Sequence, residues 1–167
     1  MTTTWEEYLL RDELGEFVDG EASVIAPTMF HQRIARRLDR ILSGADAEVM
    51  VFTAWLLREQ PRIVRIPDLM LIPTNLPSEA QFTGTPLLAV EILSSDRRVD
   101  LYSKAVEYAA AGLPRYWTVD PRDGALDALI LHGGGWHQEA HLDAEHPTAP
   151  LETGAGTVTV DLGALFA

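Results

Sequence analysis

The run Leu87-Leu88-Ala89-Val90-Glu91-Ile92-Leu93 is apolar at both strand parities and is interrupted once, by an acid. Successive side chains of a strand point to opposite faces, so such a run belongs to a strand covered on both sides. A strand of that kind requires a sheet with further structure packed on each face, the ground plan of a mixed α/β or α+β domain. It also places Glu91 inside. A buried, unpaired carboxylate costs on the order of several kcal/mol, so Glu91 is paired, protonated or bound to a metal. An ion pair with a buried arginine would satisfy it as well as a metal would.

The rest of the chain supplies the layers. Thr4 and Glu7 have capping-box spacing and open a short acidic helix to about Leu14. The segment from Phe17 to Ile25 is two extended pieces around Asp19-Gly20, a hairpin signal. Thr28 caps a helix running to Ser43, with Phe30, Ile34, Leu38 and Ile41 as its apolar stripe and Arg33, Arg36, Arg37 and Arg40 on the other side. Glu48–Leu57 and Ile63–Ile72 read as strands, the second with Pro67 inside it, a sign of a bulge or an edge. A loop-like stretch, 73–85, leads into the doubly apolar strand. Ser94, Ser95 and Asp96 are N-cap candidates for a helix to Gly112, striped by Leu101, Ala105, Tyr108 and Ala109. Strands follow at Arg115–Val119, Leu126–His132, Trp136–His141 and Thr157–Val160, then a short helix at Leu162–Phe166. Repeats and linkers are absent, so residues 1–167 read as one domain, a mixed central β-sheet flanked by helices.

Two more charges sit where apolar residues are expected. Asp68 lies in the apolar run Ile63–Ile72, either as a bulge carboxylate bonding nearby amides or as a partner for Glu91 across neighbouring strands. Two carboxylates that face each other repel and call for a cation, and oxygen ligands suit Mg²⁺ or Mn²⁺. Lys104 stands at the border of its helix's apolar stripe, four residues after Asp100. An i,i+4 pair with Asp100 would contribute only about 0.3 kcal/mol, and arginine would serve it equally well. Yet Lys104 is the only lysine among the 13 basic residues. A lone lysine in an arginine-biased chain points to a need for a compact ammonium.

Composition sets the outer limits. The chain lacks cysteine, which removes disulfides, thiolate metal sites and a cysteine nucleophile and permits a cytoplasmic address. No apolar run approaches the ~18 residues of a membrane helix. The net charge is −12. Taken alone, that argues against nucleic-acid binding. Its distribution is uneven: 1–32 and 123–167 together carry 14 acids and one base, whereas 33–122 carry 12 bases and 11 acids.

The ordered set Asp19-Gly20-Glu21, His31-Gln32, Pro67-Asp68, Val90-Glu91-Ile92-Leu93-Ser94, Asp100-x-x-x-Lys104-x-x-x-Tyr108, Gly112, Tyr116-Trp117 and Val119-Asp120-Pro121 resembles the Uma-two family, described as putative restriction endonucleases, in the PD-(D/E)XK nuclease-like superfamily. The resemblance implies a restriction-endonuclease-like fold and metal-assisted hydrolysis of DNA phosphodiester bonds. It assigns Asp68 and Glu91 as ligands of Mg²⁺ or Mn²⁺, Glu21 as an additional acid and Lys104 as the site lysine. The ion would orient the phosphate and acidify a water, and Lys104 would stabilise developing charge or position that water. His31 is a second-tier candidate, more often a packing or capping residue. The superfamily's usual lysine stands two residues after the glutamate, where this chain has Leu93; Lys104 is its substitute. A homodimer is implied by double-strand cleavage.

Other motifs carry less. His132-Gly133-Gly134-Gly135 resembles an esterase oxyanion loop, but no Gly-x-Ser-x-Gly accompanies it and a hairpin turn accounts for it. His137 and His141 on one strand face would stand about 13 Å apart, too far for one ion. Three functions therefore compete. One is a metal-dependent DNA endonuclease. Another is an inactive relative that keeps the fold for binding. The third is a hydrolase of RNA or of a small phosphorylated substrate. If Lys104 points to solvent and pairs only with Asp100, the binding protein wins.

Overall fold

The doubly apolar strand lies where the pattern puts it, at Leu88–Ile92, with all five residues buried. The computed structural model describes residues 2–59, 61–79, 81–94 and 98–167, apart from the side chains of 98–100. In chain order the elements are α1 Trp5–Leu9, β1 Gly15–Val18, β2 Glu21–Val24, α2 Met29–Leu42, β3 Glu48–Val51, β4 Trp55–Glu59, β5 Arg62–Arg65 and β6 Leu69–Ile72. Then come β7 Leu88–Ile92, α3 Arg98–Ala110, β8 Arg115–Asp120, β9 Ala125–His132, β10 Gly135–Leu142, β11 Thr148–Glu152, β12 Thr157–Asp161 and α4 Leu162–Phe166.

The central sheet has the order β10-β9-β8-β7-β6-β3, mixed because β7 and β8 run parallel while its other pairs are antiparallel. The parity of β7 sorts its two faces. Leu88, Val90 and Ile92 join a core with Ile34, Leu38 and Leu42 of α2. Ala89 faces the other way, into a core with Trp55, Tyr108 and Tyr116. Glu91 shares the parity of Ala89 and so points toward α3. That single step of the pleat decides which helix meets the acid.

A second sheet, β2-β1-β5-β4, stands beside the first. Here the structure departs from expectation. Ile63–Ile72, read as one strand, is broken at Ile66-Pro67-Asp68 into β5 and β6, which belong to different sheets. Proline has no amide to donate to a ladder, so pairing stops there. Glu48–Leu57 divides in the same way at Phe52–Ala54, where Phe52 takes φ +46°. The expected first helix ends at Leu9 rather than Leu14, because the chain turns to enter β1. At the β1–β2 hairpin Asp19 and Gly20 both have positive φ, as a type I′ turn requires. Strand β11 was not foreseen; Pro150 in its middle weakens the strand signal, and β11 pairs only with β12 in a two-stranded sheet. Of the helix-cap candidates before α3, Ser95 and Asp96 lie outside the described residues, as does the side chain of Asp100.

Candidate active site

Asp68 and Glu91 meet because of register. Strand β6 pairs with β7 antiparallel through Leu69↔Val90, and one step further along the same register sets Asp68 opposite Glu91. Both carboxylates are buried, each residue 3 % exposed. The Asp68 oxygen Oδ2 accepts a 2.6 Å hydrogen bond from the Ile92 amide, which ties it to the end of β7.

Lys104 does not point to solvent. It is 2 % exposed and turned inward from α3. Its Nζ stands 3.3 Å from both oxygens of Glu91 and 3.0 Å from Oε1 of Glu16. One turn on, the Tyr108 hydroxyl donates to Glu91 Oε1 at 2.7 Å. The i,i+4 spacing of Lys104 and Tyr108 puts both side chains over the same carboxylate.

Glu16 is the acid that the sequence reading missed. It comes from β1, in the second sheet, and is 3 % exposed. Besides Lys104 it accepts hydrogen bonds from Arg65 Nη1 at 2.9 Å and from the Ile66 amide at 3.1 Å. Arg65 completes the network with a forked pair to Glu107 of α3, at 2.7 and 3.0 Å. Glu21 does not join them. It is exposed on the edge strand β2, opposite Val18, and among the described residues it has no hydrogen bond or ion pair to this cluster. The signal for Glu16 is present in kind, an acid between Gly15 and Phe17-Val18, but the extended pattern from Phe17 to Ile25 begins one residue after it, whereas β1 begins at Gly15.

His31 is drawn in from the other side of the sheet. The α2 cap Thr28 accepts the His31 amide at 3.2 Å, which sets the first turn. His31 Nε2 then lies 2.9 Å from Asp68 Oδ2, off the hydrogen-bonding axis, so this buried nitrogen still lacks an aligned partner. A cavity of about 100 Å³ opens beside the pair, lined by Ile25, Pro27, Thr28, Phe52 and Ser94 among others. A larger one, about 440 Å³, lies against Met50, Phe82 and the 73–85 loop, and none of the paired charges lines it. The small cavity is the one that touches the chemistry.

The two glutamates that share Lys104 differ in acidity. Burial pushes Glu16 up, but Lys104, the Ile66 amide and Arg65 outweigh it and hold the carboxyl below its ordinary range. Burial pushes Glu91 up too, and Asp68 and Glu16 add repulsion that Lys104 and Tyr108 do not cancel, raising it to about 7. Arg65 serves Glu16 and Glu107, and Lys104 serves Glu16 and Glu91, which leaves Asp68 with the Ile92 amide and His31 as its neighbours. As the side chains stand, no three His, Asp or Glu groups converge on a single point among the described residues. The donor set nonetheless fits a hard divalent cation, because Asp68 and Glu91 offer oxygen only.

A family model described as "Putative restriction endonuclease" matches residues 5–161. Among solved structures, a putative nuclease belonging to DUF820 from Anabaena variabilis superposes with a TM-score of 0.76 at 16% identity, covering 99% of this chain and 97% of that one. At that identity the likeness is one of fold. No curated protein matches the sequence.

Proposed function

The chain belongs to the Uma2 family of putative restriction endonucleases, and on that premise we propose that it is a divalent-metal-dependent endonuclease acting on DNA phosphodiester bonds. One observation carries the reading. A buried lysine touches both oxygens of a glutamate that faces a second acid on the neighbouring strand. A purely structural pair does not need the second acid, whose repulsion adds to burial in raising Glu91.

In this reading Asp68 and Glu91 hold Mg²⁺ or Mn²⁺. When bound, the ion would polarise the scissile phosphate and supply an acidified water. The chain's own groups do the rest. Lys104 is positioned to place positive charge next to the metal-binding acid and to stabilise charge developing on the phosphate. Tyr108 fixes the Glu91 carboxylate, and the Ile92 amide fixes that of Asp68, so both are aimed before substrate arrives. Glu16, paired with Arg65, gives the lysine a second carboxylate contact. Cutting both strands calls for two such sites, so the active form is a homodimer, which sedimentation of the DNA-bound protein checks.

The competing reading, an inactive relative that binds without cutting, is favoured by the way Lys104 is already shared between two carboxylates. Calorimetric titration with Mg²⁺ at low salt separates the two. Saturable binding by wild type that disappears in Glu91→Ala, together with plasmid cleavage lost in Lys104→Ala, supports the nuclease. Absence of divalent binding at millimolar concentration removes its basis.

A further inference from the structure

We propose that the outward face of α2, presented by Arg33, Arg36 and Arg40, is the surface on which duplex DNA lays its phosphate backbone. The inference rests on the nuclease reading and names how that site holds its substrate. At 3.6 residues per turn the three side chains fall within about 60° of one another. They stand opposite His31, Ile34, Leu38 and Leu42, the face that α2 buries. They extend over about 10 Å of helix axis, a span along which a duplex presents several phosphates.

What sets these arginines apart is that the described residues make no use of them. With 25 acids against 13 bases, intramolecular partners are plentiful. Arg58 pairs with Asp19, Arg62 lies over Trp5, Arg65 serves Glu16 and Glu107, Arg115 pairs with Glu139, and Arg11 bonds Thr3. Arg37, on the flank of the same helix, is held by the Leu165 carbonyl at 3.0 Å. Arg33, Arg36 and Arg40 are exposed and have no hydrogen bond or ion pair among the described residues, although Asp39 sits beside them on the helix. Apart from these three, only Arg122 among the described basic side chains stands without such a contact. Among the described residues, three of the four uncommitted guanidinium groups thus share one helix face in an acid-rich protein. A guanidinium presents a fork that matches phosphate oxygens, and the acidic remainder of the surface repels a polyanion that arrives elsewhere.

The same helix links this face to the site. Its cap Thr28 and its first-turn His31 line the cavity beside Asp68. Arg33 begins about 7 Å along the axis from Thr28, so a backbone lying on the arginines passes the end of the helix that borders Asp68.

The test is anisotropy of a fluorescent DNA duplex in EDTA, where binding is read without cleavage, across about 50 to 200 mM salt. The expected result is salt-dependent binding by wild type, and in Arg33→Ala/Arg36→Ala/Arg40→Ala a loss of affinity of at least about tenfold with a log–log salt slope smaller by about 2–3. Arg122→Ala, a control for an exposed arginine elsewhere, keeps wild-type affinity, and circular dichroism confirms that the triple variant is folded. Equal affinity and slope in wild type and triple variant overturn the proposal. So does wild type that binds no duplex, or that binds single-stranded RNA in its place. A triple variant that loses binding while wild type binds without ever cleaving leaves this surface standing and sinks the hydrolytic reading alone.

Discussion

At the scale of single residues, Glu16 and Glu91 share one ammonium yet titrate in opposite directions, and that difference is measurable. The folded chain holds the Glu91 proton up to about pH 7. An unfolded glutamate releases it near ~4.3. Between those values the native state binds more protons than the unfolded state, so stability falls as pH rises through the window. Glu16 is lowered, so its contribution is present above the ordinary carboxylate range and is lost as pH falls through its folded value. In EDTA the melting temperature of wild type should therefore decline from pH 5.5 to pH 8, by on the order of 5 °C for a domain of this size. Glu91→Gln should flatten that decline; parallel curves for the two proteins would contradict the assignment. Lys104→Met sharpens the point. Without the ammonium, Glu91 and Glu16 stay buried beside each other, a loss of about 3–5 kcal/mol when both are charged. The variant should be far less stable than wild type at pH 8 and should recover much of the gap at pH 5.5, where Glu91 carries its proton. A gap independent of pH would mean that Lys104 supports packing alone. Asp68, Glu91 and Lys104 were legible because each breaks a local pattern: an acid in an apolar strand, a lysine among arginines. Arg65 breaks one too, between Val64 and Ile66, but reads as an ordinary edge residue until Glu16 is known to face it.

Among the elements, α2 was readable almost to the residue, since a capping threonine and an apolar stripe are both local signals. The one displacement is at its edge, where His31 and Leu42 are buried while Phe30 is 51 % exposed. The capped end is also the end that borders the site, which makes the cap testable. Thr28→Ala removes the side-chain acceptor for the His31 amide and should cost about 1 kcal/mol. That corresponds to about 2–4 °C in melting temperature, and Thr28→Ser should restore it. If Thr28→Ala melts with wild type, the bond is not formed in solution. The strands were less readable, for a physical reason. Ile63–Ile72 and Glu48–Leu57 each read as one extended run because β propensity does not say which sheet a strand joins. Partition between the sheets is set at Pro67, by a missing donor, and at Phe52, which holds a left-handed backbone while its amide donates to the Asp68 carbonyl at 3.1 Å. A phenylalanine in that conformation costs on the order of 1–3 kcal/mol, a strain invisible in a list of propensities.

For the molecule as a whole, those breaks are what build the site. By splitting two runs, the fold sets the β2-β1-β5-β4 sheet beside the central one and brings Glu16 and Arg65 of the first against Glu91 and α3 of the second. Pairwise sequence patterns carry no trace of that juxtaposition; the ordered family resemblance implied the fold and named Glu21 as an additional acid, whereas the acid of this hairpin that stands against Lys104 is Glu16. Arg65 is the staple between the two parts, with one nitrogen on Glu16 and two on Glu107. Arg65→Met would keep much of the apolar stem while leaving Glu107 without this cation and Glu16 with Lys104 alone. Removing one partner from a buried pair typically costs about 3–5 kcal/mol, far more than an exposed pair contributes. The expected outcome is a fall of about 10 °C in melting temperature, in one cooperative transition because the sheets share the site. Arg58→Ala, which breaks the half-exposed contact to Asp19 at 3.7 Å and an exposed hydrogen bond to the Pro61 carbonyl at 3.0 Å, should shift it by no more than about 2 °C. Arg65→Lys should recover only part of the loss, since one ammonium cannot reproduce a fork shared between two carboxylates. Two resolved transitions in Arg65→Met would show that the sheets fold independently and that the charges merely lie at their border; a single, large shift would show that the network which aims Lys104 at Glu91 also joins the two halves of the molecule.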